Sequence, residues 1–384
     1  MNPAASSKLR VSTLRVVYGS RASLRYVQEF RDRATAQGLV LAIERTAGRP
    51  VNLMEVCGTH TVSVFRHGIR GLLPPPVSLL SGPGCPVCVT TNADIDKAIA
   101  LAQEPGMILA TFGDMMKVPG SYQSLQQAKA DGCDVRVVYS PRDAVRLAAA
   151  HRERPLVFFA VGFETTAPTI AASVLEAEAL GLGNFFAFSV HKLVPPAMRA
   201  LLDSGEVRVD GFICPGHVSV VIGSQPYEFI AREYGVPCVI SGFEPVDILQ
   251  GIEMLLRQIA VGRAEVETQY SRGVRPEGNP LALEAMYRVF READAGWRGL
   301  GIIPASGLKL RPEYARFDAE VAFAIRPPPT KEHKGCICGE ILRGVKTPPE
   351  CPIFGSACTP ESPVGPCMVS AEGTCAGWYQ YGPR

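Results

Sequence analysis

Short apolar segments, each followed by a loop and then by a helix-like stretch, recur along this chain and constrain its fold more than any other feature. A first series reads VNLMEV, VSLLSG, GMILATFG and DVRVVY, and a second reads PLVFFAVGFE, NFFAFSV, GFICPGH and PCVISGF. Strands that are apolar on both faces are typical of parallel sheets covered by helices on both sides. The two series therefore predict two parallel-sheet α/β domains, with a boundary near residues 151–155.

The segments outside the two series extend this organisation. Residues 21–37 predict an amphipathic helix, because apolar side chains recur there at helical spacing, namely Leu24, Val27, Phe30 and Ala34. We expect four parts: an N-terminal helical segment (1–48), an α/β domain (49–152), a second α/β domain (153–265) and an irregular, partly helical Cys-rich domain (266–384).

Charge and hydropathy exclude two classes of partner. The formal net charge is +2 and no Lys/Arg-rich stripe or nucleic-acid-binding motif is present, so we expect no nucleic acid. No segment approaches the roughly 18–20 apolar residues that a membrane span needs, and the N-terminus lacks the apolar core of a signal peptide. We therefore predict a cytoplasmic protein, in which the twelve cysteines stay reduced unless they bind metal or cycle during catalysis.

Half of the cysteines lie in a C-terminal segment that is rich in Pro and Gly and poor in apolar runs, so it cannot bury much core. They are Cys336, Cys338, Cys351, Cys358, Cys367 and Cys375. Irregular chain of this kind is typical of iron–sulfur sites, where backbone amides turn toward the sulfurs. Structural zinc is an alternative, although it usually has paired C-x₂₋₄-C ligands. Disulfides are a third reading, disfavoured by the compartment.

A four-cysteine cluster would use only some of these residues. Two cysteines one residue apart seldom both reach a single cluster, so we expect either Cys336 or Cys338 to be spare. Our predicted ligands of a [4Fe–4S] cluster are Cys338, Cys351, Cys358 and Cys375, with Cys375 preferred over Cys367.

Three N-terminal cysteines lie in loops that follow predicted strands. Cys57 lies in EVCGTHT, and Cys85 and Cys88 lie in SGPGCPVCVTT, whose C-x-x-C spacing is that of redox dithiols. Open α/β sheets bind ligands at the carboxyl ends of their strands. A helix N-terminus there lowers the pKa of a thiol toward the thiolate that reacts and binds metal. The alternative is that these cysteines are small buried hydrophobes, which the surrounding Gly and Pro residues disfavour.

Other polar residues follow strands as well. His60 stands three residues after Cys57 and is a candidate metal ligand or proton carrier, and Glu164 in GFETT is a candidate catalytic carboxylate. His191 and His217 could line the same cleft. We interpret the remaining cysteines as packing residues, namely Cys133, Cys214 and Cys238.

The motifs MEVCGTHT, SGPGCPVCVT, TFGDMMKVPG, GFETTAPT, PGHVSVVIG, SGFEPVDIL and MVSAEGTCAGWYQY, in this order, resemble the HypD family of hydrogenase maturation factors. The resemblance implies a scaffold on which the Fe(CN)₂CO unit of [NiFe]-hydrogenase is built. It also implies a small HypC-type chaperone as partner and a HypE–HypF complex as cyanide donor.

Carried over by motif, the resemblance implies that Cys57 is a ligand of the assembled iron, which the small chaperone shares. It implies that Cys85 and Cys88 are the dithiol that supplies or gates electrons, and that the tail is the [4Fe–4S] site. The resemblance further implies that the N-terminal helix contributes to the cluster domain. Two other functions stay open: a cluster-dependent thiol–disulfide reductase, and a non-catalytic zinc-binding interaction module. Whether such a scaffold is an enzyme with simple turnover is left undecided.

Overall fold

The computed structural model describes residues 29–382, so Leu24 and Val27 of the predicted N-terminal helix lie outside the described residues. All eight strands predicted from the two apolar series are present in this part of the chain. The strands are β1 (Val51–Glu55), β2 (Val77–Ser81), β3 (Ile108–Thr111), β4 (Asp134–Val137), β5 (Leu156–Ala160), β6 (Phe185–Ser189), β7 (Gly211–Pro215), β8 (Cys238–Ser241), β9 (Val266–Thr268), β10 (Phe290–Trp297) and β11 (Gly301–Leu310).

Helices connect and cover these strands. They are α1 (Arg33–Thr46), α2 (Gly58–Arg66), α3 (Pro86–Val89), α4 (Asn92–Gln103), α5 (Leu125–Ala130), α6 (Pro141–Ala150), α7 (Ala167–Ala179), α8 (Val194–Ser204), α9 (Gly216–Ile222), α10 (Glu228–Tyr234), α11 (Pro245–Ala260), α12 (Pro280–Val289), α13 (Ala319–Ala322), α14 (Cys338–Leu342), α15 (Pro366–Val369) and α16 (Thr374–Tyr381). Short 3₁₀ helices lie at Glu29–Arg31, Ile69–Leu72, Gly113–Lys117, Gln225–Tyr227, Pro312–Phe317 and Pro348–Glu350.

The strands form two parallel sheets, as predicted for an α/β fold. The first sheet has the order β2-β1-β7-β8-β9 and the second the order β4-β3-β5-β6. Neighbouring strands in both sheets run parallel. Continuous apolar strands explain this arrangement, because helices bury both faces of each sheet.

The sheets do not divide at the predicted boundary near residue 152. The chain builds β1 and β2 of the first sheet, crosses to the second sheet for β3 to β6, and returns to the first for β7 to β9. Each sheet therefore draws on both predicted α/β segments. The reason is that fully apolar strands carry no local pattern that selects one neighbour over another, so the sequence order of strands did not reveal their pairing.

Helix α1 packs on the first sheet. Its fully buried Ile43 belongs to the same apolar cluster as Leu53 of β1 and Ile252 of α11. Just before it, the guanidinium of Arg31 pairs with Glu244, and that of Arg272 stacks over Phe30. The described part of residues 1–48 thus contacts both the first sheet and, through Phe30 and Arg272, the start of the segment 266–384, and its packing against the Cys-rich domain stays a prediction.

An antiparallel hairpin of β10 and β11 follows α12, where we had predicted irregular chain. It contacts the regions of both sheets. On one side, Leu193 N–H donates to Ser306 O beside the second sheet, over 2.8 Å. On the other, Arg298 N–H donates to Val89 O of α3, over 2.9 Å. Across residues 29–382, none of the helices has the length and apolar character needed to cross a bilayer.

Candidate metal and thiol site

The carboxyl ends of four strands in the first sheet place four singled-out loops side by side. Cys57 follows β1, Cys85 follows β2, His217 follows β7, and Phe243 follows β8. Because β2, β1, β7 and β8 are consecutive neighbours in one parallel sheet, their C-terminal loops open on the same edge. The candidate site is therefore the edge of the first sheet formed by the carboxyl ends of its strands, which we call the Cys57 edge.

The Cys57 loop and the C-x-x-C loop touch through their backbones. The N–H of Gly58 donates to Gly84 O over 2.8 Å. A Cβ on Gly84 would lie 2.1 Å from Cys57 N, a distance that no side chain tolerates. Glycine at position 84 is thus the condition for bringing the two cysteine loops into contact.

Burial makes Cys57 a protonated thiol. Its side chain is 8% exposed and it is the N-cap residue of α2. Desolvation raises the pKa of Cys57 to about 12, and the nearby Glu372 and Glu55 carboxylates add to this, while backbone N–H groups of His60 and Thr59 oppose it. The predicted lowering of its pKa by the helix N-terminus is therefore wrong, because desolvation outweighs the dipole.

The carboxyl group of Glu55 is buried and accepts hydrogen bonds from this loop. One oxygen of its carboxyl group, Oε2, accepts the Cys57 backbone N–H over 3.1 Å, and the other, Oε1, accepts the Thr61 hydroxyl over 2.5 Å. Burial raises the pKa of Glu55 to about 7, against the lowering effect of its hydrogen bonds. The Glu55 carboxyl group can therefore gain or lose a proton near neutral pH.

His60 is buried with one ring nitrogen free. Its Nε2 lies 2.9 Å from Gly242 O, which can only accept, so Nε2 carries the proton and Nδ1 holds a lone pair. His60 Nδ1 has no hydrogen-bond partner. Desolvation lowers the pKa of His60 to about 4, so the ring is neutral. A neutral imidazole with an open lone pair is suited to binding a metal ion, whereas the lowered pKa opposes the role of a proton carrier.

Phe243 separates His60 from His217. Its ring centroid lies 4.6 Å from that of His60 and 3.9 Å from that of His217, with which it stacks. His217 is exposed at the rim, and burial of part of its ring lowers its pKa. The structure thus brings His217 to the Cys57 edge, as one of the two histidines that we expected to line a cleft.

Cys85 and Cys88 form a close pair. Their Sγ atoms lie 2.7 Å apart, and the Cys88 N–H donates to Cys85 Sγ over 3.3 Å, which caps α3. Cys88 is fully buried, and desolvation raises its pKa well above the ordinary value. The C-x-x-C spacing therefore produces the expected dithiol geometry, but without the expected lowering of the pKa at Cys88.

All six tail cysteines line one small cavity, together with apolar side chains such as Ile341, Phe354 and Met368. Cys336 is half-buried and the other five are buried. An amide faces a sulfur here, since the Val364 N–H donates to Cys358 Sγ over 3.3 Å. Buried thiols, an apolar wall and inward amides match the donor chemistry of an iron–sulfur cluster.

The tail sulfurs are packed against each other. Cys338 Sγ and Cys367 Sγ lie 2.8 Å apart, so Cys367 is as central to the cavity as the predicted ligand Cys338. Within residues 29–382, no three or more His, Cys, Asp or Glu side chains are arranged as ligands of one metal ion. The ligand set therefore stays a prediction, and these sulfurs would have to spread apart to hold a cluster.

The dithiol and the tail cavity are adjacent. Cys88 Sγ lies 3.9 Å from Pro366 O in α15, and a hydrogen bond with Cys367 opposes the burial that raises the pKa of Cys88. Arg298 braces this junction by donating to Thr90 O over 3.0 Å and to Asn92 Oδ1 over 2.5 Å. The sulfur atoms of the C-x-x-C loop therefore lie next to those of the tail.

Glu164 and His191 belong to the other sheet, after β5 and β6. Glu164 Oε1 accepts the Val194 N–H over 2.9 Å, Oε2 has no partner, and burial raises its pKa to about 7. His191 Nδ1 bonds Ser189 Oγ over 2.9 Å, and burial lowers its pKa to about 3. Both residues follow strands of the second sheet, whereas Cys57 follows a strand of the first, so their role in the same site stays a prediction.

Two residues at the Cys57 edge were missed from sequence. Glu372 accepts the Thr59 hydroxyl over 2.7 Å, and a Cβ on Gly58 would lie 2.5 Å from the Glu372 Cβ, so this tail residue packs directly on the CGTH loop. Glu55 is the other. Both stand inside motifs that we had read, MVSAEGTC and MEVCGTHT, but only the fold brings them to Cys57.

Comparison with known proteins finds a matching family model and similar relatives. The family model named HypD, described as the hydrogenase formation hypA family, matches residues 34–382. The chain is 49% identical over 371 residues to hydrogenase maturation factor HypD of Rhodobacter capsulatus, covering 94% of this chain and 98% of that protein. It is 50% identical over 368 residues to hydrogenase expression/formation protein HupD of Azotobacter chroococcum mcd 1, covering 94% and 97%.

A relative from another bacterium is similar over the same length. Hydrogenase maturation factor HypD of Escherichia coli K12 is 45% identical over 366 residues, which cover 93% of this chain and 98% of that protein. With the family model spanning nearly all described residues, these similarities leave one conclusion. The chain belongs to the HypD family of hydrogenase maturation factors.

Proposed function

We propose that this chain is a scaffold on which the Fe(CN)₂CO unit of a [NiFe]-hydrogenase is assembled, with Cys57 as the anchor of the iron. A HypC-type chaperone would share the iron, and a HypE–HypF complex would deliver cyanide. The observation that carries the proposal is the meeting of the Cys57 loop, the Cys85–Cys88 pair and the tail cysteines at one edge of the first sheet.

Cys57 suits the temporary holding of a metal cargo. Thiolate is a soft ligand for iron, and binding of a metal removes the proton that burial otherwise holds on the Cys57 sulfur. Glu55, with a pKa raised to about 7, can become ionised as the cation arrives. The open Nδ1 lone pair of His60 can serve as a further ligand.

The Cys85–Cys88 pair suits redox support of that site. Its two thiols can form one disulfide, which releases two electrons and two protons, and their sulfurs are already in contact. We propose that this dithiol keeps the iron at Cys57 reduced. Its backbone contact with the Cys57 loop supports a direct role.

The tail cysteines would hold a [4Fe–4S] cluster, with Cys338, Cys351, Cys358 and Cys375 as the proposed ligands. When bound, such a cluster stores and passes single electrons. The adjacency of Cys367 to Cys338 makes Cys367 an equal candidate for a ligand. The cytoplasmic location remains part of this proposal, since the dithiol and the tail thiols would have to be kept from forming structural disulfides.

Anaerobic purification tests the proposal, with Cys57→Ala beside wild type and with Cys133→Ala as the matched control. Cys133 is half-buried and precedes β4, away from the sheet edge. We expect a brown protein with about four acid-labile sulfides per chain. We also expect extra iron with infrared bands of cyanide and CO when it is produced together with its partners. Cys57→Ala should lose only the bands and the extra iron, whereas Cys133→Ala should keep both.

Other outcomes favour the alternatives. A brown protein whose Cys57→Ala variant behaves as wild type, and which reduces disulfides of small proteins, would indicate a cluster-dependent thiol–disulfide reductase. A colourless zinc protein, indifferent to loss of Cys85 or Cys88, would indicate a zinc-binding interaction module.

A further inference from the structure

A surface groove leads from solvent to the tail cysteines. It has a volume of about 620 Å³, and Cys336 and Cys338 lie in its wall. Cys336 is the only one of the six tail cysteines, all within the described residues, whose side chain is not buried. The groove is therefore the place where the sulfur group comes closest to solvent.

Positive charge surrounds this opening. Lys331 and Lys334 line the groove from an exposed segment, and the buried Arg298 lies in its wall. Glu332 is the acidic side chain among the lining residues. The whole chain has a formal net charge of +2, so this charge is a local concentration and not a general property of the surface.

The segment that carries the lysines has a fixed backbone. Lys331 N–H donates to Ser121 Oγ over 2.8 Å, and Asn92 Nδ2 donates to Lys331 O over 2.6 Å. The hydroxyl of Tyr122 donates to Pro329 O over 2.9 Å, which ties the same segment to the loop before α5. A fixed backbone presents its charged side chains without a large ordering cost on binding.

We propose that this groove docks a small acidic electron-carrier protein, with the redox centre of the carrier facing Cys336. The inference rests on the proposed function, which needs electrons at the dithiol. In each encounter the reduced carrier would lose one electron to the cluster that the tail cysteines would hold, and would leave oxidised. Two encounters and two protons would return a Cys85–Cys88 disulfide to two thiols.

The local features favour a protein carrier over other ligands. Encounters between electron-transfer proteins are brief and small in area, and complementary charge raises their rate. Electron transfer also slows steeply with distance, and Cys336 offers the shortest approach to the buried sulfurs. A nucleic acid would require a longer basic stripe than these residues provide.

Binding of a strongly acidic [2Fe–2S] ferredoxin to the full chain tests the inference by calorimetry at low and high salt. The test variant is Lys331→Glu/Lys334→Glu. The matched control is Arg146→Glu/Arg152→Glu, which reverses two exposed charges near the second sheet. We expect the lysine variant to bind at least about tenfold more weakly and the control to change less than about twofold. Salt should weaken wild-type binding more than binding by the lysine variant.

Three results would overturn the inference: no binding by wild type, equal binding by both double variants, or displacement of the ferredoxin by an equal concentration of polyglutamate. The last would mean that the groove attracts any polyanion. Because affinity is the readout, these outcomes are distinct from failure of the proposed function. A chain that lacks iron and sulfide but still binds the ferredoxin would refute the scaffold function and keep the docking surface. A chain that holds iron and sulfide but does not bind the ferredoxin would keep the scaffold function and refute the docking surface.

Discussion

At the residue scale, burial decides the charge of the polar side chains that the motifs supply. Desolvation raises the pKa of Cys57, Glu55 and Glu164 and lowers that of His60 and His191. Each of these groups is therefore closer to neutral than it would be in water. A bound cation at the edge of the first sheet would favour the ionised forms of Cys57 and Glu55, which couples metal binding to proton release.

Glu164 gives a prediction on stability against pH. Its pKa is about 7 in the folded protein and 4.5 ordinarily. Between those values the unfolded chain loses the proton and the folded protein keeps it. The unfolded state is then favoured progressively as pH rises, by as much as about 3 kcal/mol at neutral pH. Glu164→Gln should therefore reduce the fall in melting temperature between pH 5 and pH 7.5, measured by calorimetry at about those values.

The slope should shrink without vanishing, because Glu55 has a similarly raised pKa and remains in the variant. Glu313→Gln is the control, since this glutamate is exposed in the 3₁₀ helix Pro312–Phe317. An unchanged pH slope in Glu164→Gln would mean that the Glu164 carboxyl is ionised in the folded protein.

At the element scale, the site depends on loops that must approach each other closely. The loop after β2 lies against the loop after β1 because residue 84 has no side chain. The tail reaches the same place through Glu372, which accepts a hydrogen bond from Thr59 at the start of α2. The hairpin of β10 and β11 adds a brace, since Trp297 stacks on Phe163 at a centroid distance of 6.0 Å and Arg298 holds the chain after α3.

Substitution of Gly84 tests the loop contact. In Gly84→Ala the new Cβ meets backbone atoms of Val56 and Cys57, which cannot rotate away, so the two loops must separate. We expect a loss of stability of about 1–3 kcal/mol and loss of the cyanide and CO bands, while the iron–sulfur content is kept. Denaturant unfolding and infrared spectra of the same anaerobic samples measure both effects.

Gly183→Ala is the matched control, because a Cβ at position 183 has no neighbour within 4 Å. It should leave both the stability and the infrared bands close to wild type. Retention of the bands in Gly84→Ala would show that the approach of the two loops is not needed for holding the iron.

At the scale of the whole molecule, the tail is joined to the α/β body both at the C-x-x-C loop and at α2. Its short helices α14, α15 and α16 surround the cysteine cavity, and α15 contacts α3 of the C-x-x-C loop. The aromatic pair Phe65 and Trp378, with centroids 5.4 Å apart, adds an apolar contact between α2 and α16. A bound cluster would therefore act as the centre of this domain.

Removal of the iron tests that role. Chelation under reducing conditions should lower the hydrogen-exchange protection of α14 to α16, because binding of the metal by the tail thiols would contribute to the free energy that keeps these helices folded. Protection of β5 and β6 should not change, since these strands lie in the buried core of the second sheet. Iron content is measured in the same samples, and equal exchange in the tail with and without iron would contradict a structural role of the metal.

The sequence by itself determined the strands, the α/β class and the candidate cysteines. Each of these is written in local pattern: an apolar run for a buried strand, Gly and Pro for the loop that follows, and C-x-x-C for a dithiol. The family resemblance was equally local, since its motifs are continuous segments. The family matches bear out that resemblance and the role in hydrogenase maturation.

The tertiary structure alone decided which strands pair and which residues meet. Apolar strands have no pattern that distinguishes one from another. Only the strand pairing therefore shows that the chain passes from the first sheet to the second and back. Glu372 and Cys57 are 315 positions apart in sequence, and no local signal joins them. Desolvation likewise reversed the expected lowering of the pKa at Cys57, because burial depends on the surrounding fold and the helix N-terminus is a weaker local effect.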